Sequence, residues 1–573
     1  MSSKIHCFID QITNIYIPNS HAQIPLRHTL SVPPPSVPPS TPPSFLTRST
    51  SPISIRSHLE GFPPTVNQAP RRAGKKVIIR RASFKFAQHS QRLLIAVTRC
   101  DVGQVTSIDT LPDDVLLEIF AFYLYNDQVT VGRGRGWQLL VHVCRRWRGT
   151  VFGYPRHLNL QLVCADRTRA RDMLDVWPAF PLIIDCGGGY QTGNVDNITA
   201  ALERSDRVCQ ISLTVTRNSD LEIFLAAMQQ PFPELTRLEL ESFNQSVLVV
   251  PDSFLDGSAP CLEYLVLRDI PFPGLPKLLL SATHLVNLTL RQIPHSGYFS
   301  PDAMVAALST LNHLESLNLS FQSPRSFPDQ ATRRPPPLTR SVLPVLREFW
   351  FKGVSEYLED FVALIDTPQL NELSLKFFSD FDFDTPQLIQ FISRSPTSRA
   401  FEKAHITLWD GAAYVKFLSQ TSGHAEVIVE ILRRGLDLQF LSLEQVFTSF
   451  LPPLSTLEDL YIYKRPGWPL VCKDNIENWL WLVLLHPFTG VKNLYLCDEF
   501  ARRIAPALQG LAGGRMTVVL PDLHNMFLEM FKLERVQEGI VQFVNAREAA
   551  GHTIAYSWWV SSEREKITTY YYD

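Results

Sequence analysis

The sequence contains few side chains at the spacings that catalysis or phosphate binding requires. The segment GRGRG at 132–136 resembles a glycine-rich phosphate loop only superficially, because it lacks the G-x-G-x-x-G spacing, a Lys-Ser/Thr ending and a preceding strand. Neither G-x-S-x-G nor H-E-x-x-H occurs. A Cys–His nucleophile pair assembles in space, so the sequence leaves one open but gives no sign of it. We therefore predict that the protein is not an enzyme and takes neither a cofactor nor a small-molecule substrate.

The cysteines and histidines also lack the spacing of a metal site. The nine cysteines form no C-x-x-C pair, and the 15 histidines show no metal-like spacing with cysteine or aspartate. An odd number of widely separated cysteines argues against a disulfide framework, and several lie in apolar runs, as reduced core cysteines do. This usage predicts a reducing compartment, the cytoplasm and/or the nucleus. The apolar run WLWLVLL at 479–485 is too short to span a bilayer, and we predict no membrane partner.

Charge and proline content separate an N-terminal tail from the rest of the chain. Residues 1–100 carry 13 Lys/Arg and 2 Asp/Glu, whereas the remainder carries 41 and 54. The proline-rich segment SVPPPSVPPSTPPSF favours an extended, disordered chain, so we predict a disordered basic tail over 1–105. The basic run Arg71–Lys85 fits a solvated linker, a nuclear localisation patch or a phosphorylation site at Ser83. The acidic body makes nucleic acid an unlikely partner.

A short leucine motif repeats through the body of the chain. L-x-x-L-x-L or a close variant starts at 208, 235, 262, 285, 314, 346, 370, 457 and 491, with weaker copies in KAHITL and AEVIVE, at intervals of 23 to 34 residues. That period and core are typical of leucine-rich repeats, in which each unit contributes a strand and a return segment and neighbours stack into a solenoid. Return helices are expected near 220–228, 300–311 and 436–450, and an exposed loop near 323–340. The asparagine that often follows the strand is missing, so the turns should be irregular.

A helical unit is predicted immediately before the repeats, at 108–157. Its first helix should run to about Tyr125, and between Val115 and Tyr125 only Glu118 is charged. A helix that is apolar all round must be buried all round, so a second surface has to cover it. One further helix is predicted over WQLLVHVCRRWRGTVF, with one apolar face formed by Leu140, Val143, Cys144, Trp147 and Val151.

The helical unit resembles an F-box. The matching residues are Leu111-Pro112, Asp113-Asp114, Ile119-Phe120 and the later segment VCRRWR at 143–148; the glycine–arginine loop between the motifs is longer than the family pattern. The resemblance implies that the unit docks on the Skp adaptor of cullin–RING ubiquitin ligases. Carried over by motif, the adaptor-binding candidates are Leu111, Pro112, Val115, Leu116, Ile119, Phe120, Cys144 and Trp147. The alternative is a helical cap that seals the first repeat.

The remaining body is similar to the leucine-rich-repeat F-box proteins expanded in mushroom-forming fungi, as in LPPLSTLEDLYIY and AFEKAHITLWD. The resemblance covers about 108–560 and implies the substrate-recognition subunit of an SCF-type cullin–RING ubiquitin ligase, with an unknown target protein. The implied fold is α/β: a helical F-box at 108–157, an irregular solenoid at 158–560 and a C-terminal tail at 561–573. The alternative is a protein-interaction scaffold without a role in ubiquitin transfer.

Strand alternation predicts which side chains face the concave side of the solenoid. Because successive residues of a strand point to opposite faces, the residues between the buried leucines should line that side. Large rings and cations there are candidates for target binding, since such side chains carry much interface energy. The candidates are Tyr264, Arg268, Trp350, Lys352, Tyr461, Tyr463 and Tyr495. The alternative is that these rings pack against the 323–340 loop or the C-terminal segment.

Overall fold

The structure is a computed structural model that describes most of the chain after residue 110. The described residues are 111–130, 136–165, 169–186, 195–243, 248–324, 339–378, 385–395, 401–409, 411–419, 425–450, 454–465, 477–513, 519–529 and 536–559. They belong to one unit of the chain, Arg92–Asp573. The predictions for the tail at 1–105, most of the GRGRG segment, most of the 323–340 loop and the tail at 561–573 concern residues outside these ranges.

The strands carry the repeating apolar residues. They are β1 Leu162–Ala165, β2 Leu182–Cys186, β3 Val208–Val215, β4 Arg237–Ser242, β5 Tyr264–Arg268, β6 Asn287–Ile293, β7 Ser316–Phe321, β8 Ser341–Val342, β9 Glu348–Gly353, β10 Ile365–Asp366, β11 Glu372–Phe377, β12 Lys403–Trp409, β13 Ala412–Leu418, β14 Glu426–Ile431, β15 Asp459–Lys464, β16 Asn493–Leu496, β17 Asn525–Glu529 and β18 Ala555–Trp559.

Helices precede the first strand and connect most of the others. They are α1 Asp113–Thr130, α2 Gly136–Val143, α3 Arg145–Gly153, α4 Ala170–Val176, α5 Val195–Leu202, α6 Asn218–Ala227, α7 Leu275–Leu279, α8 Pro301–Leu308, α9 Ser355–Ala363, α10 Pro386–Arg394, α11 Leu436–Gln445, α12 Asn478–Leu485, α13 Asp498–Gln509 and α14 Val536–Ala549. The helices expected near 220–228, 300–311 and 436–450 are confirmed as α6, α8 and α11, and α11 continues as a π-helical turn over Val446–Phe450. None of the described helices is long and apolar enough to cross a membrane.

One sheet of sixteen strands forms the solenoid, in the order β1-β2-β3-β4-β5-β6-β7-β9-β11-β14-β13-β12-β15-β16-β17-β18. Most pairs are parallel, and equivalent leucines stack where the register is unbroken: Leu238 pairs with Leu265, and Leu265 with Leu288. All three side chains are fully buried, on the face of the sheet that the return segments cover. Each such leucine contributes about 1.5–3 kcal/mol relative to an exposed one, so the stacked motif supplies the core.

A three-stranded antiparallel insert interrupts the parallel order. Strand β13 pairs antiparallel with both β12 and β14, while β14 lies parallel to β11 and β12 parallel to β15. The two weak motif copies are therefore strands, but their spatial order is the reverse of their order in sequence. The expectation that the repeats follow one another in sequence order is wrong here, because residues 412–418 form an antiparallel strand between the two copies.

Candidate protein-interaction sites

The motif residues of the N-terminal helices hold that unit together. The Arg146 guanidinium donates to Asp113 Oδ1 at 2.7 Å and to the carbonyl of Leu111, which ties the start of α3 to the start of α1. Arg148 Nε donates to the carbonyl of Val141 at 3.0 Å. Asp113 and Arg146 are thus partners in space, although they lie more than 30 residues apart in sequence.

The single helix expected over 137–152 is two helices that meet at Cys144. Cys144 has extended backbone angles, φ −156° and ψ 170°, and its Sγ accepts from the Trp147 backbone N–H at 3.4 Å as the N-cap of α3. The chain therefore turns between Val143 and Arg145. Val143, which was expected on the buried face, is 43% exposed.

Several predicted adaptor contacts form the core of the helical unit. Leu116, Phe120 and Trp147 are 0%, 1% and 3% exposed, and the Phe120 and Trp147 rings lie 4.8 Å apart between centroids. A partner cannot reach these three side chains without opening the unit. Their packing instead fixes how α1 and α3 present their other faces.

The remaining predicted contacts lie at the surface or partly exposed. Pro112 is exposed, and Leu111, Val115, Ile119 and Cys144 are half-buried. The adaptor contact of each of these residues stays a prediction.

Helix α1 has a second apolar stripe that faces outward. Pro112, Val115, Ile119 and Phe122 follow one another at helical spacings of three, four and three residues, and Phe122 is 36% exposed. Tyr125, 64% exposed, extends the apolar surface. We call Pro112, Val115, Ile119 and Phe122 the outward stripe. Phe122 was missed from the sequence, although its spacing from Val115 was the available signal.

The opposite side of the helical unit covers the first repeat. Trp137 on α2 is 2% exposed, and its Nε1 donates to the carbonyl of Gln161, beside β1, at 2.9 Å. The Trp137 ring also meets Trp177 at 5.0 Å and Phe180 at 5.5 Å between centroids. The unit therefore caps the solenoid with one side while α1 presents the outward stripe.

The predicted target-binding residues all lie on the face of the sheet that turns away from the buried leucines, here called the concave side, at alternate positions of their strands. Tyr264 is 38% exposed, whereas the other six are half-buried. Trp350 on β9 donates from Nε1 to Glu372 Oε1 on β11 at 2.7 Å, so its indole is held in place across two strands. Burial raises the pKa of the Glu372 carboxyl, and the neighbouring Glu426 and Glu348 add to that rise.

An aromatic ladder crosses four neighbouring strands at the C-terminal end of the concave side. His405, Tyr461, Tyr495 and Phe527 stand side by side on β12, β15, β16 and β17, with ring centroids 4.4, 4.1 and 4.4 Å apart and interplanar angles of 4–8°. Trp559 on β18 meets Tyr461 and Tyr495 edge-on, at 6.0 and 5.6 Å. The faces of these rings are thus occupied by one another.

His405 is the buried end of the ladder. Its Nδ1 lies 3.2 Å from the Tyr463 hydroxyl, and only 6% of the residue is exposed. Burial, together with the nearby Lys416 and Lys403, lowers the pKa of His405 to about 4. The ring is therefore neutral near pH 7. Tyr461 and Tyr495 contact Trp559 near the end of the chain, as in the packing alternative, whereas Tyr463 contacts His405. Target binding by these tyrosines stays a prediction.

Hydrogen-bonded polar side chains run beside the ladder. Asn525 Nδ2 donates to Asn493 Oδ1 at 2.8 Å, and Asn493 Nδ2 donates to Asp459 Oδ1 at 2.7 Å. Lys403 Nζ lies 3.4 Å from the other Asp459 oxygen. Within the described ranges, no group of three or more His, Cys, Asp or Glu is arranged to hold a metal ion.

Comparison with known proteins adds nothing to the fold that the strand order and register show. No protein-family model matches the chain, and no curated protein matches it. Among solved structures, the chain is similar to the leucine-rich repeat-containing protein LegL7 from Legionella pneumophila, at 12% identity, over 67% of this chain and 97% of that one, with a TM-score of 0.25. So low a score carries no argument. Strand order and register assign the fold as an α/β solenoid of leucine-rich repeats, preceded by a three-helix unit.

Proposed function

We propose that this protein is the substrate-recognition subunit of an SCF-type cullin–RING ubiquitin ligase. The helical unit docks on the Skp adaptor, and the concave side of the solenoid binds a target protein. The chain performs no bond chemistry; it raises the effective concentration of the target beside the ubiquitin-loaded enzyme. The described cysteines are free thiols, which suits the cytoplasm and/or nucleus.

The observation that carries the proposal is the outward stripe. Three of its four apolar residues lie on α1 and Pro112 directly precedes it, while another face of this helix is already buried against Trp147 and its neighbours. A unit of this size has too little core to enclose both faces of such a helix. A standard protein interface buries about 1,600 Å² in total and draws most of its energy from a few central anchors. Val115 and Phe122 are the side chains that we assign to this role, since Ile119 also packs against the core.

The test is capture of the full-length chain by purified Skp adaptor. The double variant Val115→Asp/Phe122→Asp places two charges in the stripe and should abolish capture, because a buried unpaired charge at an interface is strongly unfavourable. Ile223→Asp is the matched control, since Ile223 on α6 is a similarly exposed apolar residue, 44% exposed. Unchanged capture by the double variant would remove the stripe from the contact. Phe120 is unsuitable for this test, because a charge at a residue that is 1% exposed would disrupt the core of the unit.

A second candidate function is a protein-interaction scaffold in which the helical unit serves only as a cap. The Trp137 contacts with Gln161, Trp177 and Phe180 favour it, since they seal the first strand of the sheet. The two candidates predict different adaptor binding for the unmodified chain. The scaffold predicts no saturable binding to the Skp adaptor, whichever residues occupy the outward stripe.

A further inference from the structure

We propose that the concave side binds an arginine side chain of the target protein at the start of strands β7, β9 and β11. This inference rests on the proposed function, since it names one residue that the target segment must carry. The site, here called the acidic corner, consists of Ser316 and Asn318 on β7, Glu348 and Trp350 on β9, and Glu372 on β11.

Continuous strand pairing brings the five residues together. Ser316 pairs with Glu348 across β7 and β9, and Glu348 pairs with Glu372 across β9 and β11, with no shift of register along either pair of strands. Neighbouring strands lie about 4.8 Å apart, so this row of three side chains spans about 10 Å of the concave side. Asn318 and Trp350 form the next row of the same strands. The five side chains thus line a patch that one large cation can contact.

The two carboxylates of the acidic corner lack a cationic partner. Among the residues that the structure describes, Glu348 has neither a hydrogen bond nor an ion pair. Glu372 accepts from the neutral Trp350 indole, which leaves the carboxylate charge uncompensated. The next carboxylate along the row, Glu426, is paired with Lys416 at 2.5 Å, so it is not part of the site. Like charges directly opposite each other destabilise a sheet, and a cation bound between Glu348 and Glu372 would remove this repulsion.

A buried hydroxyl beside Glu348 is a second, independent sign of a ligand. Ser316 is 7% exposed, and its Oγ has no hydrogen-bond partner among the described residues. The next residue, Leu317, is fully buried in the core, so Ser316 points to the concave side. A buried polar atom without a partner is unfavourable and rare. A guanidinium that donates to the Glu348 carboxylate has further N–H groups within reach of this hydroxyl, which can accept one of them.

Trp350 offers a flat apolar surface beside the carboxylates. Its indole is half-buried and is held across two strands by the hydrogen bond to Glu372. Unlike the rings of the aromatic ladder, it contacts no other ring or cation among the described residues. A guanidinium can stack on an indole face while its in-plane N–H groups bind carboxylates, whereas a lysine ammonium has no planar group to stack. Asn318, beside Trp350, adds an amide oxygen that can accept a remaining N–H group.

The cations of the same strands confine the guanidinium to the strand starts. Lys352 and Lys376 lie towards the other end of β9 and β11, beyond the row of Trp350. Lys352 Nζ is 5.7 Å from the centre of the Phe378 ring, and Lys376 Nζ pairs with Glu430 at 2.9 Å. A further cation is repelled from that end of the strands. The arginine side chain therefore enters the acidic corner from the edge of the concave side where the strands begin.

The test uses Gly/Ser peptides with one central residue, which is arginine, citrulline, lysine or glutamate. Saturation-transfer difference NMR with the full-length chain detects weak binding of such small ligands. The arginine peptide should bind saturably and about tenfold or more tighter than the citrulline peptide, because citrulline keeps the planar group but carries no charge. The lysine peptide should bind more weakly than the arginine peptide, and the glutamate peptide should not bind. The basic tail is present in every measurement, so its competition for the site leaves the ranking of the peptides unchanged.

Two variants and a matched control locate the binding. Glu348→Gln should weaken binding of the arginine peptide by about tenfold or more, since a charge-assisted hydrogen bond is lost. Ser316→Ala should weaken it by about threefold or more, since one acceptor is lost. Glu315→Gln removes the same charge at an exposed residue next to Ser316, where alternation turns the side chain away from the site, and should bind as the unmodified chain does.

Stability separates a binding site from a structural one. Glu348→Gln relieves a like-charge contact and Ser316→Ala removes a buried hydroxyl without a partner, so the thermal midpoint of each variant should equal or exceed that of the unmodified chain. A lower midpoint, equal binding of the arginine and citrulline peptides, or equal binding by Glu348→Gln and Glu315→Gln would each overturn the inference. A lysine peptide that binds as tightly as the arginine peptide would overturn the assignment of a guanidinium.

Adaptor capture is a separate readout. Absent binding of the arginine peptide with intact capture contradicts the acidic corner alone, whereas absent capture with intact peptide binding contradicts the ubiquitin role alone.

Discussion

The buried histidine of the aromatic ladder predicts a specific pH dependence of stability. His405 has its pKa lowered to about 4 in the fold, whereas an unfolded histidine titrates near 6.5. Between these values the unfolded chain binds more protons, so the stability due to neutral His405 is complete above about pH 6.5 and is lost as pH falls towards 4. For these two pKa values the loss between pH 7 and pH 5 is about 2 kcal/mol.

The comparison that isolates this effect is the unmodified chain against His405→Phe. Phenylalanine keeps a ring beside Tyr461 but has no proton to bind, so the loss of the Tyr463 hydrogen bond should lower its stability equally at all pH values. Urea unfolding followed by circular dichroism at pH 7, 6 and 5 gives the difference in unfolding free energy between the two proteins. Titration of the carboxylates contributes equally to both proteins and therefore cancels in this difference. The stability advantage of the unmodified chain should shrink by about 2 kcal/mol from pH 7 to pH 5. A constant difference would refute the burial of a neutral histidine in the ladder.

Two further substitutions test how neighbouring elements are held together. Glu359 accepts the first backbone N–H groups of α10, from Gln387 at 3.0 Å and Leu388 at 2.7 Å. Glu359→Ala should lower the unfolding free energy in urea by about 1–3 kcal/mol, because buried donors lose their partner. Glu222→Ala, at an exposed position of α6, is the control and should change it by less than about 0.5 kcal/mol. Trp137→Ala should destabilise the junction between the helical unit and β1 by about 3–5 kcal/mol and speed proteolysis between 153 and 161. Leu139→Ala, at a side chain that is 62% exposed, is the control and should leave the cleavage rate unchanged. Equal cleavage rates for the two variants would contradict the role of the helical unit as a cap.

The leucine periodicity predicted most of the solenoid because burial leaves a direct trace in sequence. A strand whose alternate residues pack in a core must repeat apolar residues with period two, as Leu238 and Leu240 do in β4 and Leu265 and Leu267 do in β5. The same alternation placed Arg268 and Trp350 on the concave side. The direction of a strand cannot be predicted in this way, since a period-two pattern is the same in either direction of the chain. The antiparallel strand β13 therefore could not be recognised from AAYVKFL.

Features that depend on contacts between distant segments could not be predicted from the sequence either. The aromatic ladder brings His405 beside Tyr461 only because the insert reverses the order of its strands. In the helical unit, apolar periodicity continues through Val143 and Cys144, so it did not reveal the turn that separates α2 from α3. A helix that is apolar all round also gives no sign of its outward face. Burial of Leu116 and Phe120 identifies that face by elimination.

Hydroxyl-radical footprinting of the full-length chain, with and without saturating Skp adaptor, tests the central claim most directly. Phe122 and Tyr125 are exposed aromatic side chains at and beside the outward stripe, and Tyr264 is an exposed ring on the concave side. If the stripe docks on the adaptor, oxidation of Phe122 and Tyr125 should fall when the adaptor is added, while oxidation of Tyr264 stays constant. Unchanged oxidation of Phe122 and Tyr125 at saturating adaptor would contradict the account.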